Sequence, residues 1–269
     1  MINTIGVLGC GWLGKPLAES LLKEGYHVKG TTTTPDKLTA LQAAGISPFL
    51  IAIGDDGIKG GISSFLKDLD VLIINIPPGL RKAPTGNFVA RMQFLNQAIN
   101  DAEVPKLIFV SSTSVYGALQ GEVWEDTVPK PISESGKQLL AVEKLFSNNP
   151  SFKTTIIRFG GLIGPKRHPV RQLSGKKNIK SGEELLNLIH LDDCIRIITT
   201  ILRESYWNQI FNGVYPYHPS KKEYYTNEAL KMGVTPPEFQ DTNAPVYKKI
   251  VKSQVFNVKS HPLLTTIVS

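Results

Sequence analysis

Three glycines near the start of the chain are spaced to hold a phosphate. They lie in Gly9-Cys10-Gly11-Trp12-Leu13-Gly14, directly after the apolar run Ile5-Gly6-Val7-Leu8. A G-x-G-x-x-G string alone is common. Between a predicted strand and a predicted helix it becomes a dinucleotide-binding fingerprint. Gly9 permits the tight turn, Gly11 lets the backbone approach a pyrophosphate, and Gly14 lets the helix pack on the strand. The first turn of that helix, with the backbone of Trp12 and Leu13, supplies free N–H groups and partial positive charge. The alternative is a glycine turn with a purely structural role.

The end of the next predicted strand bears on which dinucleotide is taken. NAD-binding proteins usually place an Asp or Glu there, on the ribose 2′-hydroxyl. This chain has Thr31-Thr32-Thr33-Thr34, with Lys37 one helical turn further on. The Thr run has no carboxylate to repel a 2′-phosphate, and its hydroxyls can bond one. Thr32, Thr33, Thr34 and Lys37 are therefore the expected cofactor-specificity residues, and NADP is expected ahead of NAD. The alternative is a merely polar strand end and a pocket that accepts either.

The elements that position these residues follow from periodicity. Strands are expected at Thr4–Leu8, His27–Thr31, Pro48–Ile53, Val71–Ile76, Lys106–Ser111 and Thr154–Phe159. Helices are expected at Leu13–Glu24, Pro35–Ala44, Asn87–Asn100 and Gly136–Phe146. This alternation predicts an α/β fold, a Rossmann doubly wound parallel sheet with helices on both faces. Beyond it come a helix at Asp192–Glu204, a short strand at Phe211–Val214, a helix at Ser220–Met232 and a last strand or loop at Lys252–Val258. Gly160–Leu188, rich in Gly, Pro and Lys, reads as loop and a candidate flap. The expected division is a Rossmann domain over 1–160 and, over 161–269, a small C-terminal substrate lobe with some segments returning to the sheet.

Composition narrows the function classes. Thirty basic against twenty-three acidic residues give a net charge of +7. The lysines are spread out and no nucleic-acid motif is present, so a soluble basic surface is the simpler reading and nucleic acid is not an expected partner. Part of the charge can instead attract a phosphorylated cofactor or substrate. The two cysteines, Cys10 and Cys194, are too few for a disulfide framework, and the five histidines show no metal-ligand spacing, so no metal is expected. No run approaches a membrane span and no targeting segment is recognised, so a cytoplasmic protein without membrane association is expected.

Further along the chain read Phe109-Val110-Ser111-Ser112-Thr113-Ser114-Val115-Tyr116-Gly117, then Pro131-Ile132-Ser133-Glu134-Ser135-Gly136-Lys137, Arg158-Phe159-Gly160-Gly161-Leu162-Ile163-Gly164-Pro165 and Ile189-His190-Leu191-Asp192-Asp193. In order and spacing these resemble the extended short-chain dehydrogenase/reductases, the group of the NAD-dependent epimerases and dehydratases. The resemblance runs from the glycine loop to about Gly213. It implies NAD or NADP as cofactor, with Ile76 and Pro77 at the end of the fourth strand against its ribose, and a C-terminal lobe that closes over a small-molecule substrate. It also implies a Tyr-x-x-x-Lys pair as the acid/base machinery, and here the chain departs. Aligned on Pro131, Ser133 and Glu143, the Tyr place holds Ser135 and the Lys place Leu139. A serine without an adjacent base is no acid/base near neutral pH. The acidic pair of the dehydratases would fall on Thr113 and Ser114. The chain thus looks like an atypical branch that keeps the fold and cofactor loop and lacks the dyad.

Ser112 falls on the position that orients a substrate hydroxyl, and Tyr116 is the nearest phenol. These two are the candidate catalytic residues. The alternative for Tyr116 is a buried phenol bonded to a neighbour. Lys137 lies two positions before the Lys place, roughly 200° around a helix, and points away. Arg158 is read as a structural ion pair or a pocket residue. Arg167, His168 and Arg171 form a basic loop or grip an anion. His190 with Asp192 and Asp193 looks like a base pair but fits a helix cap better. Two functions stay open: an NAD(P)-dependent oxidoreductase or epimerase-like enzyme on a sugar-like or phosphorylated substrate, and a sensor or scaffold that binds the dinucleotide without turnover. A homodimer is compatible with either.

Overall fold

A computed structural model describes residues 2–80, 85–118, 121–240, 248–257 and 261–268. The chain begins with β1 (Thr4–Leu8), α1 (Gly14–Lys23), β2 (His27–Thr32), α2 (Lys37–Ala43), β3 (Ser47–Gly54), β4 (Gly57–Gly60), α3 (Ile62–Leu66) and β5 (Val71–Ile74). It continues with α4 (Phe88–Asp101), β6 (Lys106–Ser112), a 3₁₀ turn at Thr113–Tyr116, β7 (Gly121–Val123), α5 (Glu134–Ser147), β8 (Lys153–Phe159) and β9 (Gly161–Ile163). Then come α6 (Val170–Leu173), β10 (Leu188–His190), α7 (Leu191–Glu204), β11 (Ile210–Gly213), α8 (Lys221–Lys231) and β12 (Lys249–Val251).

Eight strands form one sheet in the order β11-β8-β6-β5-β1-β2-β3-β4, parallel except for the antiparallel edge pair β3 and β4. The order reverses between β1 and β5, so the crevice at their carboxyl ends is the ligand position of an open α/β sheet.

Period-two alternation divides the core between the two faces. Ile5, Val7, Val71, Ile73 and Ile108 pack with Leu17 and Leu21 of α1 and Ile197, Ile198 and Ile201 of α7. Leu8, Leu72, Ile74, Leu107 and Phe109 pack with Met92 and Leu95 of α4 and Val142 and Phe146 of α5. Both faces are covered, as the apolar runs of a parallel sheet require. A smaller cluster gathers Ile163, Leu186, Leu188, Tyr224, Tyr225 and Ile267 from the C-terminal half.

The expected strands and helices of the first half are present, with ends shifted by up to two residues. α2 begins at Lys37, because Pro35 and Asp36 form the turn that precedes it. Gly160–Leu188 is more ordered than a flap: it holds β9, α6 and the start of β10, with β9 and β10 paired in parallel. Segments this short carry no readable period. The last strand lies at Lys249–Val251, ahead of the expected Lys252–Val258, whose final residue is outside the described residues. Neither Asp192 nor Asp193 caps α7. The helix starts one residue earlier, and His190 accepts the Asp192 N–H. Asp193, fully buried, accepts instead from the Leu264 and Thr265 N–H groups and pins the C-terminal segment to the sheet's helical cover. Among the described residues no helix is long and apolar enough to cross a membrane.

Candidate functional site

The glycine loop is built by close approach. Gly9 has φ +103°, and a Cβ there would lie 2.7 Å from the Asn75 carbonyl oxygen. A Cβ on Gly14 would lie 2.0 Å from the Gly9 oxygen, so α1 can start so near the strand only without a side chain at that position. Gly11 differs: a Cβ there would meet nothing within 4 Å. Its side faces an open cradle in front of the helix start. Lys15 is the first residue of this segment to find a carbonyl four back, that of Gly11. The N–H groups of Trp12, Leu13 and Gly14 therefore have no intrahelical acceptor. An open cradle lined by unpaired donors fits a pyrophosphate.

The threonine run supports the loop more than its composition suggests. Thr31 Oγ1 accepts the Gly9 N–H at 2.9 Å, and the Thr31 carbonyl accepts the Cys10 N–H at 2.8 Å. Thr32, buried, accepts the Thr34 N–H at 3.1 Å. Thr33 and Lys37 are exposed and Thr34 half-buried. Only the outer part of the run is thus open to solvent. The nearest acid, Asp36, is exposed at the start of α2 and makes no capping bond there. Cys10 is a packing residue. Burial pushes its thiol up to about 11, and its Sγ occupies space that a Cβ on Gly30 would enter. Ile76 packs beside Gly9 and Pro77 is exposed. Between them and β5, Asn75 donates from Nδ2 to the Gly9 oxygen at 3.4 Å, tying the two strand ends of the crevice together.

Trp12 reaches the other way. Its Nε1 donates to the Pro165 carbonyl at 2.9 Å, and the Arg167 guanidinium lies 4.9 Å from its ring centroid. The turn after β9 is therefore held across the glycine loop, a contact between residues about 150 apart that no local pattern reveals. His168 is drawn elsewhere, with its Nε2 3.1 Å from the Tyr224 hydroxyl.

Ser112 ends β6. By strand pairing Leu8 is level with Ile74 and Ile74 with Phe109, so Ser112 projects three residues past the level of β1's end. Two strand spacings, about 10 Å, separate β1 from β6. Ser112 Oγ accepts the Ser114 N–H at 3.1 Å, and its own proton remains to be donated.

Tyr116 does not share this exposure. It is fully buried, and its hydroxyl lies 2.9 Å from Asn212 Oδ1 and 3.0 Å from the Trp124 carbonyl, with Arg158 Nη1 donating to it at 2.8 Å. Burial raises its pKa, against the pull of Arg158. The phenol is committed to the interior, which removes it from the residues that face a ligand. Arg158 itself is bound to Glu143 through Nε and Nη2, the latter at 2.7 Å, and Glu143 also accepts from Ser111 Oγ at 2.5 Å. The guanidinium stays charged despite burial, because Glu143 outweighs the loss of water. This buried network fixes the turn that carries Ser112. Sequence spacing suggested Arg158 as an ion pair and missed Glu143 and Asn212, whose roles appear only in three dimensions.

The dyad positions offer no replacement chemistry. Ser135 is half-buried on the first turn of α5, Leu139 is in the core, and Lys137 is exposed.

A family of proteins described as NAD(P)H-binding matches residues 9–189. The chain belongs to it. Protein YeeZ of Escherichia coli K12 is 36% identical over 245 residues, covering 90% of this chain and 88% of its own. The fold is shared with UDP-glucose 4-epimerase from Thermotoga maritima, solved with UDP-glucose, at a TM-score of 0.77 and 18% identity over 93% of this chain and 90% of that one. It is shared also with UDP-glucuronic acid 4-epimerase from Bacillus cereus, solved with NAD, at a TM-score of 0.73 and 22% identity over 93% and 89%. These findings make the chain an NAD(P)-binding protein with a fold shared with nucleotide-sugar epimerases.

Proposed function

We propose that this chain is an NAD(P)-dependent enzyme, oxidoreductase or epimerase-like, that acts on a small sugar-like or phosphorylated substrate and prefers NADPH to NADH. One observation carries the reading. The open cradle at Gly11 and the free hydroxyl proton of Ser112 lie on the same carboxyl edge of the sheet, at the point where strand order switches. In this reading residues 1–160 hold the dinucleotide and 161–269 close over the substrate. Gly9, Gly11, Gly14 and the N–H groups of Trp12 and Leu13 receive the pyrophosphate. Thr33, Thr34 and Lys37, backed by Thr32, face the ribose 2′-phosphate. Ile76 and Pro77 flank the nicotinamide end. When bound, the nicotinamide supplies or takes up a hydride. Ser112 donates a hydrogen bond to a substrate oxygen and orients it. Tyr116 acts by stiffening the turn beneath Ser112.

Reduced-nicotinamide absorbance, followed over a panel of sugar aldehydes and ketoses, tests this reading. Turnover that falls about a hundredfold in Ser112→Ala, with NADPH affinity unchanged, supports it. A second reading, a dinucleotide-binding sensor or scaffold, is favoured by the committed hydroxyl of Tyr116 and by Ser135 and Leu139 at the dyad positions. NADPH binding without turnover across the panel favours that one.

A further inference from the structure

The cleft beyond Ser112 contains a cation that no sequence motif announces. Lys249 opens β12, which pairs in parallel with β7. Its side chain turns back to the 3₁₀ turn after Ser112, and its ammonium donates to the Gly117 carbonyl at 2.8 Å and the Thr113 carbonyl at 3.3 Å. An ammonium has three N–H donors, so one remains once both carbonyls are served. The group lines a cavity of about 320 Å³ with Thr113, Gly117, Ile132, Glu184 and Asn187. Asn187 and Glu184, which also line it, are engaged elsewhere. Asn187 holds β12 by donating to the Lys249 carbonyl and accepting the Val251 N–H, and Glu184 is paired with Lys221. Two carbonyl dipoles leave a full positive charge largely uncompensated. Burial correspondingly pulls the Lys249 ammonium below the ordinary lysine range, with Glu184 acting in the opposite direction.

We propose that Lys249 is the substrate-binding cation of this cleft, and that it takes an oxyanion of the substrate, a carboxylate or a phosphate. The proposal rests on the enzymatic reading above and gives its substrate a charge. An ammonium donates only, so its natural complement is an acceptor carrying negative charge. The cavity is at the small end of ligand pockets, which suits a monosaccharide-sized anion or one end of a longer molecule. The competing role, a strut between β12 and the turn, would affect stability alone.

The experiment is a calorimetric titration in two stages. NADPH is titrated first into wild type, Lys249→Met and Lys249→Arg, and all three are expected to bind it alike. Glucose 1-phosphate, glucuronate and neutral glucose are then titrated into each NADPH-saturated protein. Wild type is expected to bind at least one anion more tightly than glucose, and the anion that binds tells phosphate from carboxylate. Lys249→Met is expected to lose at least about tenfold of that affinity, and Lys249→Arg to retain part of it. Anion binding that is equal in Lys249→Met, or absent from NADPH-saturated wild type, overturns the proposal. Failure of the NADPH stage in wild type overturns the reading on which it rests. Should Lys249→Met not fold, protection of the Lys249 amine from acylation by the anion, read by peptide mass, replaces it. Protection supports the assignment and unchanged labelling overturns it.

Discussion

Placing a carboxylate at Gly11 is expected to abolish dinucleotide binding and leave the fold intact. Gly11 has no positive φ and a Cβ there meets no atom within 4 Å, so Gly11→Asp strains neither backbone nor packing. The same exchange at Gly14 would drive a Cβ to 2.0 Å from the Gly9 oxygen, and at Gly9 it would oppose a φ of +103°. At Gly11 the new carboxylate instead enters the cradle a pyrophosphate needs. Two unit charges about 4 Å apart at an effective dielectric of about 20 repel by about 4 kcal/mol. With about 1.4 kcal/mol per factor of ten, the NADPH dissociation constant should rise about a thousandfold, and somewhat less at high salt. Stability should move by no more than about 0.5 kcal/mol, as for an exposed surface change. Gly11→Ala serves as the control and should weaken binding less. NADPH fluorescence titration gives the affinity and a circular-dichroism melt the stability. A Gly11→Asp protein that melts like wild type and still binds NADPH within a few-fold would refute the assignment of this loop to the phosphates.

Tyr116→Phe removes a hydroxyl that bridges Arg158 and Asn212, and should cost about 1–3 kcal/mol in urea unfolding while NADPH affinity holds. Unchanged stability with lost turnover would instead make Tyr116 the acid. Restoring the dyad with Ser135→Tyr and Leu139→Lys should create little epimerase activity with UDP-glucose. Leu139 is 4% exposed in the core, and an ammonium there costs on the order of several kcal/mol, so the double variant should melt well below wild type. Burial lowers the pKa of both His168 and His218. The unfolded chain then takes up protons before the folded one. Stability should fall as pH drops from about 6.5, the ordinary histidine value, through their lowered values. Melting curves from pH 8 to 5 check this, and a midpoint that rises over that descent contradicts it.

The first half of the chain was legible because its signals are local. The apolar runs at Thr4–Leu8 and Lys106–Ser111, the helical spacing of Leu17 and Leu21, and the glycines between strand and helix each encode their own geometry. The resemblance added Ser112, and with it the expectation of a second group nearby. The sequence offered two readings of Tyr116 without deciding between them, since its partners Arg158 and Asn212 lie 42 and 96 residues away. Thr32 was expected to face the ligand, and its burial depends on how β2 meets the glycine loop. Asp193 looked like a cap because its spacing fits one, while its actual partners, the Leu264 and Thr265 N–H groups, come from the far end of the chain. Lys249 and Asn75 carry no motif at all. Their positions follow from strand pairing and from the approach of distant loops.

Parallel calorimetric titrations of the wild-type chain with NADPH and NADH bear most directly on the dinucleotide site and on the open hydroxyls and Lys37 beside it. Saturable binding of both, with NADPH the tighter, is the expected result. Tighter binding of NADH would contradict the role given to Thr33, Thr34 and Lys37, and binding of neither would contradict the site itself.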